Sequence, residues 1–393
     1  MDYEISELAA QLEAEMNPDA MTEDELQGIV GKELEDAVDY ADNYVSPLRA
    51  TATEYYRGDP FGNEEEGRSQ VISMDVRDTV QAIMPSLMRI FHSTENTVEY
   101  APQGPEDVAA AKQATEYANF IINRDNNGFL HMHAAFKDAL IRKVGVLKCY
   151  WDDQTRIETV DLTGLDDAAL AALYADPDAE IEIVASEPVG DPDFDPMTGE
   201  ILPAPMMHAV RVSYTHPDGR VKLEAVPPEE FLISREAKDI TTADYIAHRR
   251  IVTVSELVAM GYAMEEVEGL ASAHDDMNTN VERHTRNPAL VNEMNERDDP
   301  AMRKVLYVEN YIKVDYDGDG IAELRKICTG GDGNTILANE PCSIVPFASF
   351  CPDPEAHDFY GMSVADAVMD IQKIKSSIMR NTLDSLSMSI HPR

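Results

Sequence analysis

The chain has 393 residues, 44% hydrophobic and 7% aromatic, enough for two or three domains with packed cores and too apolar for a disordered acidic tail. Acids outnumber Lys and Arg by 74 to 32, a formal charge of -42, which excludes the basic footprint that grips a phosphate backbone. It leaves open a like-charged wall past which nucleic acid slides without sticking.

Periodicity predicts a helix from Thr22 to Tyr44, with Leu26, Ile29, Val30, Leu34, Val38 and Ala41 on one face. Pro47 marks a boundary or kink before Leu48–Tyr56 resumes, and Gly58-Asp59-Pro60-Phe61-Gly62-Asn63 reads as a turn-rich loop. Val76, Val80, Ile83, Leu87 and Phe91 keep helical spacing around Pro85, and Thr97–Ala101 reads as extended. Pro105-Glu106-Asp107 opens a further helix that stops at Asn126-Asn127-Gly128, and Phe129–Lys143 is helical again.

At Gly145 the period changes to alternation. Gly145–Trp151 begins a strand, and Asp166–Tyr174 reads as a small helix inside a long acidic insertion. Val189–Pro205 reads as loop, and Val210–Thr215 is expected to pair with Val221–Val226 across His216-Pro217-Asp218-Gly219. A short helix follows from Thr253 or Ser255 to Met260, and the polar stretch from His274 to Pro300 reads as mobile. Val305–Val314 and Ile321–Cys328 form a second expected hairpin.

Gly361-Met362-Ser363-Val364-Ala365-Asp366 opens a helix reaching Leu386, with Ser363 as its cap. Val364, Val368, Ile371, Ile374 and Ile378 form an apolar stripe expected to pack inward. Asp366, Asp370, Lys373, Arg380 and Asp384 form an ionic stripe, expected to face a neighbouring subunit or a channel.

Among candidates for chemistry, Asp315-x-Asp317-x-Asp319-Gly320-x-x-Glu323 matches calcium-loop positions one, three, five, six and nine. Lys326 stands where the closing glutamate belongs, and the flanks are strands, so an acidic hairpin turn is the plainer reading. His131 and His133 fall on different sides of a helix and do not suggest a metal site. Cys149, Cys328, Cys342 and Cys351 lack zinc spacing and read as reduced thiols of a cytosolic protein. Arg68, Arg77 and Arg89 are candidates for ion pairs, at the surface or between subunits. No phosphate loop or nucleophile elbow occurs, so neither enzyme nor cofactor is expected. No signal peptide and no membrane-spanning apolar run are visible.

Several ordered segments resemble the portal proteins of short-tailed double-stranded DNA phages. They include Tyr55-Tyr56-Arg57-Gly58, Glu66–Ser73, Met84-Pro85-Ser86-Leu87-Met88-Arg89-Ile90-Phe91, Asp138-Ala139-Leu140 and Val144–Trp151. Val226–Phe231, Asp315–Glu323, Pro346-Phe347, Gly361–Asp366, Asp370-Ile371-Gln372, Arg380 and Asn381 continue the series. The resemblance implies an α+β subunit: a helical wing with antiparallel β-hairpins, ending in a long stem helix. It divides the chain into an acidic helical region (1–60), a helical wing region (61–145) and a β-rich region with the acidic insertion (146–235). A wing continuation with a β-hairpin (236–350) and the stem helix (361–390) complete the series.

The resemblance further implies a ring, typically twelve-fold, at one capsid vertex. Its partners would be the terminase large subunit, tail adaptor and capsid proteins, and double-stranded DNA passing without sequence specificity. It would lie in the virion, after assembly in the host cytoplasm, and would not contact a membrane. Family members continue beyond the match to Pro392-Arg393 into a clip, a second stem helix and a barrel, so a chain lacking those parts is expected here. The alternatives are another virion head-tail adaptor, or a calcium-binding module built on the Asp315–Glu323 loop.

Overall fold

A computed structural model describes residues 21–92, 96–153, 155–176, 179–189, 193–194, 201–202, 206–273, 277–286, 299–333 and 335–390. The N-terminal acidic residues before 21, most of the 189–205 loop, much of the 274–300 stretch and Pro392-Arg393 fall outside them. The chain forms two compact units, Met1–Cys149 with Leu223–Arg393, and Tyr150–Lys222.

In the larger unit, Thr22 and Glu25 form a reciprocal cap that starts helix α1 (Glu23–Tyr40). Its buried face, Leu26, Val30, Leu34 and Ala37, packs on Leu232, Tyr245, Ala247, Val308 and Ile327. A π-turn at Ala41–Val45 leads directly into α2 (Ser46–Arg57). Pro47 lies in the first turn of α2, where its missing N–H leaves no gap, so it starts a helix here and does not break one. The π-turn aims Asp42 inward, where its carboxylate meets Arg249 Nη2 at 2.7 Å.

Helices α3 (Asp75–His92) and α5 (Gly128–Arg142) share a core of Val76, Val80, Met84, Met88, Met132, Phe136, Leu140 and Ile141. Between them, α4 (Val108–Phe120) holds the preceding extended segment with its side chains. Asn119 Oδ1 accepts from Thr97 N at 2.6 Å, and Thr115 Oγ1 accepts from Tyr100 N at 3.0 Å. Thr97–Ala101 is held by these side chains and belongs to none of the described strands. The expected glycine stop is also displaced, because Asn127 takes the left-handed conformation (φ +50) and Gly128 begins α5. Glycine is required there because a Cβ would stand 2.6 Å from the Ile122 carbonyl oxygen.

Strands β1 (Gly145–Asp152), β2 (Thr155–Leu165) and β3 (Ala179–Pro188) follow, with α6 (Asp167–Tyr174) between β2 and β3, capped by Asp166. After the two-residue strands β4 (Asp193–Phe194) and β5 (Ile201–Leu202) come β6 (Met206–Pro217) and β7 (Arg220–Val226). The expected hairpin between 210–215 and 221–226 does not form. β6 is paired on both edges in the order β2-β6-β3, whereas β7 lies beside β1 in a different sheet. A central strand has no free edge left for its sequence neighbour.

The remaining strands are β8 (Phe231–Ile233), β9 (Tyr245–Thr253), β10 (Lys304–Val314), β11 (Glu323–Gly331), β12 (Thr335–Pro341) and β13 (Phe347–Phe350). The first five form an antiparallel meander in sequence order. α7 (Val254–Ala259), capped by Thr253, α8 (Met264–Glu268) and α9 (Met277–Arg286) lie between β9 and β10. The hairpin between β10 and β11 pairs Val314 with Glu323, as the alternation predicts. Lys148 on β1 links the two sheets: its ammonium meets the Glu309 carboxylate on β10 at 2.7 and 2.8 Å, and His248 Nδ1 on β9 at 3.3 Å. The Phe347 ring and Tyr311 hydroxyl close this buried junction. The mixture of helices and antiparallel sheets is the expected α+β class. The chain closes with α10 (Val364–Ile390).

Candidate functional site: the C-terminal helix and the segment laid along it

α10 has 27 residues, about 40 Å at 1.5 Å per residue. Its start is fixed from both directions. Asp366 N donates to Ser363 Oγ at 3.0 Å, and Ser363 N donates back to Asp366 Oδ2 at 2.8 Å. Asp366 also takes the Lys143 ammonium at 2.8 Å. Burial disfavours its charge, but Lys143 and Ser363 outweigh burial and hold the carboxyl below its ordinary range. Gly361 just upstream has no space for a side chain, since a Cβ would lie 2.2 Å from the Asp353 carbonyl oxygen.

The face of α10 turned to its own chain is polar. Gln372 and Ser376 are 0% exposed and Arg380 is 7% exposed, whereas Ile371, Ile374 and Ile378 are 59%, 62% and 61% exposed. The expected inward packing therefore holds only for Val364 and Val368, which join the α3–α5 core, and is reversed from Ile371 onward. Met379, Leu383 and Leu386 extend the exposed stripe.

The reversal follows from what lies beside the helix. Residues 69–76 run along it with backbone groups that need partners, and side chains at four-residue intervals supply them. Gln372 Oε1 accepts from Val76 N at 2.9 Å, and Ser376 Oγ accepts from Ser73 N at 3.0 Å. Arg380 Nε donates to Val71 O at 2.9 Å, and Asp384 Oδ1 accepts from Ser69 N at 2.8 Å. Gln372 Nε2 also donates to Tyr55 O at 2.9 Å, so one amide ties the end of α2 to the start of α3. Arg380 reaches further, to Asn63 Oδ1 at 2.9 Å and Glu64 Oε1 at 2.5 Å, with its guanidinium above the Phe61 ring. Lys375 pairs with Asp75 beside this ladder.

Of the five residues of the expected ionic stripe, Asp366, Arg380 and Asp384 thus have partners within this chain, while Asp370 and Lys373 are exposed. Gln372 and Ser376 were missed. Their i, i+4, i+8 spacing with Arg380 was visible in the sequence, but nothing there names the backbone they meet. Arg77 donates to the carbonyls of Tyr56 and Arg57, closing the end of α2, and Arg68 pairs with Glu65 at 2.8 Å.

In the acidic turn, Asp315, Asp317 and Asp319 bring carboxylate oxygens within 4.8 Å of one another. Asp315 accepts from Gly318 N and Gly320 N, both at 2.9 Å, and those glycines take φ of +77 and +88. Glu323 instead accepts from Tyr316 N at 3.0 Å, and Lys326 pairs with Glu340. The Asp319 amide favours the charged form of Asp317, but desolvation and the carboxylates of Asp319, Glu323 and Asp315 outweigh it and raise its carboxyl. In the smaller unit, His208 bridges Ser186 Oγ at 2.7 Å and Asp167 Oδ1 at 2.8 Å, pinning α6 to its sheet.

No helix among the described residues is long and apolar enough to cross a membrane. The family described as phage SU10 portal protein matches residues 26–393. No curated protein matches the chain. Among solved structures, an α-mannosidase from Enterococcus faecalis V583 aligns at 12% identity and a TM-score of 0.09. That alignment covers 80% of this chain and 45% of the mannosidase, and at such a score it carries no argument.

Proposed function

The chain belongs to the phage SU10 portal protein family, whose members are structural virion components and not enzymes, and from this premise we propose that it is one subunit of a portal ring at a capsid vertex. The ring, twelve-fold as the resemblance implies, frames the channel for genome packaging and ejection. It docks the terminase large subunit during packaging and the tail afterwards, and assembles in the host cytoplasm. Double-stranded DNA passes through it without sequence-specific contact, a reading supported by the charge of -42.

The observation that carries the ring reading is the bare side of α10. Fully burying an isoleucine is worth about 1.5–3 kcal/mol. With some three-fifths of each side chain still exposed, Ile371, Ile374 and Ile378 retain roughly 1–2 kcal/mol apiece for a partner. An exposed Asp370 or Lys373 ion pair adds at most about 1 kcal/mol. Assembly is therefore assigned to the aliphatic stripe, with Asp370 and Lys373 setting register at its border. The test is light scattering and electron microscopy of the full chain and of a variant with Ile371, Ile374 and Ile378 all changed to Ser. Rings or lower oligomers that disappear in the variant, with circular dichroism unchanged, support the reading. Assembly that is indifferent to all three substitutions overturns it.

The Asp315–Asp319 turn supports a smaller alternative, a calcium site, because three carboxylates converge there. Calorimetric titration of the chain with calcium decides it: saturable heat lost in Asp317→Asn establishes the site, and its absence leaves the turn as a hairpin closure.

A further inference from the structure

α9 is attached to the larger unit in an unusual way. Among its side chains described, residues 281–286, the one large aliphatic is Val281, and it is 47% exposed. What enters the interior is charge. Glu282 is 2% exposed and faces Arg49 of α2 at 3.8 Å, and Arg286 pairs with Glu229. Arg57 donates to the Arg286 carbonyl at the helix end.

The receiving surface is charged and incompletely satisfied. Arg49 donates a hydrogen bond to Pro228 O at 2.9 Å and stacks over Tyr360, but its Nε has no partner among the described residues. Among the described residues, both oxygens of Glu282 lack hydrogen bonds, as do those of Glu229 apart from its ion pair. Burial raises the Glu229 carboxyl above its ordinary range despite Arg286, a sign that the docked charges are costly to keep dry. Arg49 is held at Pro228 O, one residue from Glu229, so the receiving surface keeps one charge of each sign once α9 is gone.

We propose that α9 is a detachable ionic strap. It docks on α2 through Glu282 and Arg286, and leaves while the rest of the unit stays folded, opening a cleft lined by Arg49, Glu229 and Tyr360. Two features support a two-state element. Docked, Glu282 and Arg286 answer Arg49 and Glu229; undocked, the receiving surface keeps Arg49 and Glu229, one charge of each sign. A released α9 of ten residues is too short to stay helical in water, so undocking and local unfolding coincide and are read by amide exchange.

The experiment is hydrogen exchange on the full chain, wild type and Glu282→Gln, a substitution that keeps shape and removes charge. The expected result is exchange at least tenfold faster over residues 281–286, with the amides of β10 unchanged. Arg286→Gln should act in the same direction. Unchanged exchange in both variants overturns the proposal. So does acceleration throughout β10 or a chain that fails to fold, because either would make α9 an integral part of the body.

Discussion

Replacing Gln372 with Met removes two hydrogen bonds from a side chain with no solvent exposure and nearly conserves its volume. The Tyr55 carbonyl keeps a second donor, Gly58 N at 3.2 Å, so its loss is modest. Val76 N sits in the first turn of α3, where no backbone acceptor within the helix serves it. A net hydrogen bond contributes about 1 kcal/mol and a stranded buried donor costs about 1–3 kcal/mol, giving roughly 2–4 kcal/mol for the junction of α2, α3 and α10. At 1.4 kcal/mol per decade, amides in the first bonded turn of α3, Thr79 and Val80, should exchange about 30- to 700-fold faster. Ile374→Met, two residues along on the open side, is the control and should change nothing. Equal protection of Thr79 and Val80 in Gln372→Met and wild type would refute the ladder as the element that holds α10.

Charge reversals on α10 should separate by face: Arg380→Glu sets an acid against Glu64 and lowers the thermal midpoint of the subunit, whereas Lys373→Glu leaves it unchanged, as circular dichroism melts will show. Asp366 has its carboxyl held below its ordinary value of 3.8, so its contribution is present at neutral pH and lost as pH falls through that value toward the depressed one. Lys143→Met should therefore flatten the loss of stability below about pH 4 in urea midpoints, and an unaltered acid limb would count against the pair. Lys148→Met strands the Glu309 carboxylate among buried groups and should cost roughly 3–5 kcal/mol, with Glu309→Gln in the same chain recovering most of it. A double variant no more stable than Lys148→Met alone would contradict that account.

Local rules carried the helices and turns a long way. The Thr22 start of α1, Ser363 as a cap, the Asp166 start of α6, the Val314–Glu323 hairpin and the reach of α10 all follow from residues within a few positions of one another, where capping and periodicity act. β9 was not legible, because His248 and Arg249 interrupt its alternation and are buried only through distant partners, Lys148 and Asp42. The hairpin expected between 210–215 and 221–226 failed for a related reason. A turn signature reports that a chain can reverse, while edge availability depends on strands far away in sequence.

α10 marks the boundary most clearly. Its sequence by itself determined that one side is apolar and the other polar, since that is a matter of spacing. Which side meets its own subunit was decided by tertiary structure. The 69–76 segment runs beside the helix with backbone groups outside any sheet, and Gln372, Ser376, Arg380 and Asp384 pair them. Water can solvate an exposed isoleucine at a modest cost, but a buried N–H without an acceptor has no such recourse, so the polar face turned inward and left the aliphatic stripe outside.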